Sequence, residues 1–258
     1  MIAVEAADVS TAWLEAARRL AWDPKRKADG TAVRICEPVA EIPAVREAMD
    51  ELLEAQELQS VETVANTIFP EAIARSSCDH AELVDRYVRM YPTLRKFDPQ
   101  NKYGTYFGRL IQYPTGKGPF DQIGAVIRRI GIERDGGNPK QARYEASLAV
   151  PDDLTMNVPV YVPGKDNNPM SFPCLSHCSF QLDTEGHLHL LASYRSQYLV
   201  KRGYGNYLGL GRLLAHVARQ TRLQVGHLTV VAGLAHLEPP VIPVRDMVTR
   251  FAGAATPR

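Results

Sequence analysis

The chain has 258 residues, of which 45% are apolar and 23% charged, enough length and apolar content for one folded unit with a real core. Its 30 basic and 29 acidic side chains leave a formal net charge of +1, so overall charge draws it neither to duplex nucleic acid nor to an anionic membrane. The longest apolar runs fall far short of the roughly 20 residues needed to span a bilayer. Met1 to Asp8 carries Glu5 and Asp8 but no basic residue, which argues against a signal peptide. Four cysteines (Cys36, Cys78, Cys174 and Cys178) are too few for a secreted disulfide scaffold of this length, so a reducing cytoplasm is the expected compartment.

In chain order, Thr11 to Trp22 reads as an amphipathic helix with Thr11 as N-cap and Trp13, Leu14, Ala17 and Leu20 on one face. Asp23 to Gly30 reads as a charged loop and Thr31 to Cys36 as a short strand. Pro43 to Gln56 is a helix with proline in its first turn. Ser60 to Ala74 is a helix that Pro70 should break, and His80 to Tyr91 is a further one. The aromatic, glycine-bearing stretch Tyr103 to Tyr113 points to loop or strand. Phe120 to Ile130 is helical, with Ile123, Val126, Ile127 and Ile130 aligned.

The second half changes character. Arg143 to Val150 reads as a strand, and Pro151 to Pro169 as an extended, proline-rich surface excursion. Phe172 to Leu182 and His187 to Tyr194 are strands joined by the hairpin turn Asp183-Thr184-Glu185-Gly186. Tyr207 to Arg222 is a helix, His227 to Ala232 a strand, and Val241 onward a short tail. Helices first and strands later imply an α+β chain, with a large, mostly antiparallel sheet and helices on one face. No linker divides residues 1–258, so a single domain is expected.

The chemistry concentrates in two strands and the helix after them. In Pro173-Cys174-Leu175-Ser176-His177-Cys178, a cysteine opens an apolar strand; the next strand ends in Tyr194-Arg195-Ser196; eleven residues past that arginine stands Asn206, at the head of a helix. A thiol is a nucleophile, an arginine clamps an anion, and an amide offers both donor and acceptor to a base edge. A thiolate adding to C6 of a pyrimidine breaks the ring's aromaticity and makes C5 nucleophilic. Cations such as Arg195 or Arg143 would favour that thiolate if they converge on it. Cys174 and Cys178, with His177, His187 and His189 nearby, do not have the common spacing of a zinc site, and no metal is expected. Gly203-Tyr204-Gly205-Asn206-Tyr207-Leu208-Gly209 lacks the lysine and hydroxyl residue of a P-loop.

This order of motifs resembles the catalytic half of the thymidylate synthase and pyrimidine nucleotide hydroxymethylase family, best from Phe172 to Leu237 and more weakly from Tyr103 back. The resemblance implies a thymidylate synthase-type fold, a homodimer packed sheet to sheet, a pyrimidine nucleotide as substrate and 5,10-methylenetetrahydrofolate as donor. It places Cys174 as nucleophile, Arg195 and Ser196 on the 5′-phosphate with Arg143 from the partner subunit, and Gln181 at the close of the cysteine strand. Asn206 falls on the uracil edge, His236 in Gly233-Leu234-Ala235-His236-Leu237 on the sugar, and Tyr103 and His177 at proton relay through water.

The chain also departs from the family pattern. The gap from Cys174 to Gln181 is two residues longer than usual, which requires a bulge. Aligned from Gln181 and His177 instead, Ser176 takes the nucleophile's position. Tyr198 replaces a folate-contacting aspartate. Glu238 replaces a tyrosine and would suit ribose hydroxyls. The family's catalytic glutamate would fall near Asn66, and no phosphate loop is evident between Asp23 and Val33. These departures keep open a folate-independent pyrimidine nucleotide-modifying enzyme and a non-catalytic nucleotide-binding regulator on the same fold.

Overall fold

A computed structural model describes residues 1–97, 105–137, 139–148 and 174–255, without side chains at 95–97 and 254–255. Tyr103, Pro173 and the excursion from Pro151 to Pro169 lie outside the described residues.

The chain enters as a strand, β1 (Ile2–Asp8), and turns directly into α1 (Val9–Ala21). Asp8 makes that turn: one carboxylate oxygen accepts from the backbone N–H of Thr11 at 3.0 Å and the other from its hydroxyl at 2.8 Å. The cap is therefore Asp8, with Thr11 as its donor, and the helix starts two residues before Thr11. Trp13, Leu14, Ala17 and Leu20 are buried as their spacing requires. β2 (Lys27–Glu37) is longer than the short strand read at Thr31 to Cys36, absorbing part of the charged loop. Then follow α2 (Pro43–Glu54), α3 (Val61–Ile68, capped by Ser60), α4 (Glu71–Arg75), and α5 (His80–Phe97), which runs through Pro92.

Two segments correct the sequence reading. Tyr106–Ile111 forms a helix, α6, capped by Thr105, whose hydroxyl accepts from Gly108 N at 3.0 Å. Val241–Arg250 is also a helix rather than a tail: Val244, Met247 and Val248 are buried, and Arg245 Nε donates to the Ala21 carbonyl at the end of α1. Between them lie the small hairpin β3 (Tyr113–Thr115) and β4 (Gly118–Phe120), α7 (Gln122–Asp135), β5 (Ala142–Ser147), β6 (Leu175–Leu182), β7 (His187–Tyr194), β8 (Gln197–Tyr198), a π-helical turn (Leu199–Gly203), α8 (Tyr204–Thr221) and β9 (Gln224–His236).

The main sheet runs β1-β2-β9-β7-β6-β5, with β8 alongside β9. It is mixed rather than mostly antiparallel: β2 with β9, β7 with β6, and β6 with β5 are antiparallel, whereas β1 with β2, β7 with β9, and β8 with β9 are parallel. The reason is that two N-terminal strands join the later ones, and α8 carries the chain back over the sheet so that β9 enters parallel to β7. Along β7, Leu188, Leu190, Ala192 and Tyr194 are buried, while the residues between them are partly exposed. One face of the sheet thus lies under α1 and α8, and the other carries Arg34, Thr229, Val231, Leu191 and Glu145.

The glycine-rich stretch is a helix start, not a phosphate-cradling loop. A Cβ on Gly205 would meet Val64 Cβ at 2.6 Å, and one on Gly209 would meet the Ala65 carbonyl oxygen at 2.7 Å. The two glycines let α8 lie backbone-close on α3. That contact, together with the Trp13 Nε1 bond to the Leu199 carbonyl at 2.8 Å, fixes the start of α8 and the residue it carries there, Asn206.

Candidate active site

Cys174 stands at the mouth of β6, half-buried and unpaired with any other cysteine. Its carbonyl accepts from Arg195 N at 2.9 Å, and Leu175 faces Tyr194 in the ladder. The antiparallel pairing therefore sets the proline-cysteine segment and the tyrosine-arginine-serine segment side by side. The ladder slips between Leu175 and His177, the bulge that the lengthened gap to Gln181 requires. Ser176 is the unpaired residue of the bulge, and its hydroxyl donates to the Ser193 carbonyl at 2.9 Å.

Near Cys174 lie Tyr106 and Tyr194, to which the sequence reading gave no role. Tyr106, from the unexpected helix α6, hydrogen-bonds through its hydroxyl with the backbone of Leu175 and Cys174; burial raises its pKa, and the Cys174 thiol adds to the effect. Tyr194 is 3% exposed and its hydroxyl has no partner; burial first, then Tyr106, Cys178 and Cys174, push its pKa well up, so it stays protonated. Gln197, 2% exposed, accepts from the Tyr207 hydroxyl at 3.3 Å through Oε1, while its Nε2 has no partner. Asn206, in the first turn of α8, is 4% exposed, and its Oδ1 is also unpartnered. Burying a polar atom without a partner costs about 1–3 kcal/mol. Three such atoms stand between residues 194 and 206. The alternation of Tyr194 and the short strand at Gln197 carried no sequence signal for this role.

The rim is built differently. Tyr198, 43% exposed, stacks on His236 with ring centres 5.3 Å apart, because β8 pairs with β9 in that register. Burial, then Lys27, lowers the pKa of His236, which keeps its ring neutral. Glu238 accepts from Lys201 N at 2.7 Å and Val200 N at 3.3 Å, so both oxygens hold the π-helical turn that follows Tyr198. Its carboxyl is raised by burial. Arg195 is exposed and Ser196 half-buried, at the same rim.

The other expected residues sit apart. His177 lies on the open sheet face, with Nε2 2.5 Å from Glu145 Oε2 and Nδ1 3.3 Å from the Ser147 hydroxyl. Arg143 pairs with Glu133 of α7 at 3.2 Å. Gln181 faces Ala142 and His189, roughly 20 Å along β6 from Cys174 at ~3.3 Å per residue. Tyr103 is outside the described residues. Asn66 accepts from Glu71 N at 3.1 Å and donates to Glu62, itself gripped by Arg212 at 2.7 and 2.9 Å. The Arg212 guanidinium holds the Glu62 carboxyl below its usual range.

Among the described residues, the ligand atoms of Asp183, Glu185 and His187 on the β6–β7 hairpin lie within 4.8 Å of one another, a grouping that exposed acidic side chains commonly make without a cation. They are far along the sheet from Cys174. Asp183 Oδ2 there accepts from both His187 Nδ1 and His189 Nε2 at 3.1 Å.

No protein-family model matches the chain. It is 30% identical over 171 residues to a Methanopyrus kandleri protein named "Putative thymidylate synthase", the match covering 64% of this chain and 69% of that protein. No helix among the described residues is long and apolar enough to cross a membrane.

Proposed function

The chain belongs to the thymidylate synthase family, as a distant member, and from that premise we propose that it transfers a one-carbon unit, methyl or hydroxymethyl, to C5 of a pyrimidine nucleotide. The observation that supports this most is the pairing of β6 with β7, which sets the half-buried Cys174 beside the Tyr194-Arg195-Ser196 segment through the bond from Arg195 N to the Cys174 carbonyl. In this reading all 258 residues form one thymidylate synthase-like domain.

The Cys174 thiolate adds to C6, forming an S–C bond while the C5–C6 π electrons move to the C4 carbonyl oxygen. C5 is then nucleophilic toward a one-carbon donor. Once C5 has bonded to the donor's carbon and lost its proton, the donor's amine would leave; water added to the resulting methylene would give hydroxymethyl, or a hydride from the reduced donor would give methyl, and the S–C bond then breaks to restore the C5–C6 double bond and return the thiolate. Arg195 and Ser196 hold the 5′-phosphate at the rim, Asn206 orients the base, and His236, neutral, meets the sugar. Tyr106, hydrogen-bonded beside the thiol, relays protons in this reading. Arg143 and Gln181 belong to the site only if a partner subunit brings them there, across the half-open sheet face of a homodimer. Glu238 steadies the rim turn, and any sugar contact it makes uses lone pairs left over from that task.

The donor in this reading is 5,10-methylenetetrahydrofolate. The stacked Tyr198–His236 pair offers a flat surface for a pterin but no carboxylate for its N–H groups. The same residue, with Asn66 in place of a catalytic glutamate, favours the second reading: thiol addition to a pyrimidine nucleotide without folate.

A 5-fluoropyrimidine nucleotide given together with 5,10-methylenetetrahydrofolate tests the covalent step, because once C5 has bonded to the donor's carbon fluorine cannot leave as a cation and the adduct persists. Intact-mass analysis should show one nucleotide with its donor added to the wild type and none to Cys174→Ala. An adduct that survives in Cys174→Ala but not in Ser176→Ala would move the nucleophile to Ser176. No adduct with uracil or cytosine nucleotides would remove thiol addition from the account.

A further inference from the structure

Gln197 is the buried group that the proposed chemistry does not yet use. It follows Arg195-Ser196 directly, in the two-residue strand β8, opposite Ala235 of β9. At 2% exposure it is more buried than Asn206, yet only half of its amide is engaged. Tyr207 donates its hydroxyl to Oε1 at 3.3 Å and so engages the oxygen end of the amide. Nε2, at the other end, is buried without an acceptor. A leucine or methionine of similar size would fill the space without that cost. Retaining the amide, and clamping it, implies a ligand atom that it serves.

We propose that Gln197 is a second base-reading amide of this site, donating from Nε2 to a ring carbonyl of the pyrimidine, with Tyr207 as the positioning residue that sets the amide's direction. The inference rests on the reading of the site as one for a pyrimidine nucleotide. Three unpartnered atoms stand in the segment from Tyr194 to Asn206: the Tyr194 hydroxyl and Gln197 Nε2, which donate, and Asn206 Oδ1, which accepts. Uracil presents the complement, two carbonyl acceptors with N3–H between them. A sugar phosphate without a base presents none of these. Asn206 and Gln197 thus divide the edge, one amide through its oxygen and the other through its nitrogen.

Calorimetric titration with dUMP, UMP, dCMP and CMP, each compared with ribose 5-phosphate, tests the assignment in the full chain. The variants are Gln197→Met, Gln197→Glu and Tyr207→Phe, with thermal melts to confirm folding. The advantage of the best nucleotide over ribose 5-phosphate should fall roughly ten- to a hundred-fold in Gln197→Met, the range for a buried carbonyl left without its donor. Affinity for ribose 5-phosphate itself should not change, a separation that a merely structural role would not produce. Gln197→Glu keeps the acceptor for Tyr207 and the side-chain shape but sets a carboxylate against the carbonyl, so it should lose at least as much; it carries the test if the methionine variant does not fold. Tyr207→Phe should lose less. A nucleotide advantage retained in both Gln197 variants would overturn the proposal and leave the functional reading standing. A wild-type protein that binds nucleotides no better than ribose 5-phosphate would overturn both.

Discussion

Replacing His216 with glutamine should flatten the fall in stability that this protein suffers in mild acid. His216 is buried on α8 in a chain of four side chains whose proton positions follow from one another. Arg219, which can only donate, gives a hydrogen bond to His216 Nδ1 at 3.3 Å. His216 therefore carries its proton on Nε2 and donates it to His80 Nδ1 at 3.0 Å, and His80 in turn donates from Nε2 to Asp121 Oδ2 at 3.0 Å. The Phe69 ring, 5.0 Å away, closes the other side. Burial, then His80 and Arg219, lowers the His216 pKa from 6.5 to about 3, with Asp121 opposing. The folded state keeps this ring neutral, whereas the unfolded chain takes up a proton below about pH 6.5. Stability from this group is thus full above that pH and is lost as pH falls toward 3. At 1.36 kcal/mol per pH unit, the loss between pH 7 and pH 5 is about 2 kcal/mol. Urea unfolding at both pH values should show the wild type losing about 2 kcal/mol more than His216→Gln, whose amide can still accept from Arg219 and donate to His80. Burial also lowers His227, to about 4, but that term is common to both proteins and cancels in the difference. Parallel stability curves would show that His216 does not titrate in this way.

Other perturbations separate the scaffold from the site. Gly205→Ala places a Cβ 2.6 Å from Val64 and 2.9 Å from the Val61 carbonyl, and should cost about 1–3 kcal/mol by urea unfolding; an unchanged midpoint would mean that α3 and α8 slide apart freely. Asp8→Ala removes the cap of α1 and should cost about 1 kcal/mol while leaving nucleotide affinity alone. Asn206→Leu fills the same space without the orphaned acceptor: base-dependent binding should drop roughly ten-fold or more while thermal stability holds or rises. A variant that binds as the wild type does would take Asn206 out of the site.

The helices with strong periodicity were legible in the sequence because burial alone decides them. The hairpin at Asp183 to Gly186 was legible because its turn residues leave few alternatives, and so was the bulge near Ser176, which takes up one of the two extra residues. The sheet's mixed character was not. Strand direction depends on the path of α8 over the sheet and on an N-terminal strand, β1, that only the fold makes sense of. The helix Tyr106–Ile111 was hidden by its aromatic and glycine content; Gly108 is there so that the Thr105 hydroxyl can cap at close range. Of the proposed site residues, Cys174, Arg195 and Asn206 were singled out by residue type and spacing. Tyr194, Gln197, Tyr207 and Tyr106 were not, since their importance lies in which polar atoms are left unpaired once the strands have docked.

The most direct test of the account is release of tritium from 5-³H-labelled dUMP, UMP, dCMP and CMP, with and without 5,10-methylenetetrahydrofolate, by the wild type and by Cys174→Ala. The account predicts release from one of these nucleotides that needs both the folate and Cys174. Release without folate but dependent on Cys174 would select the folate-independent chemistry, and no release from any of the four would contradict C5 transfer altogether.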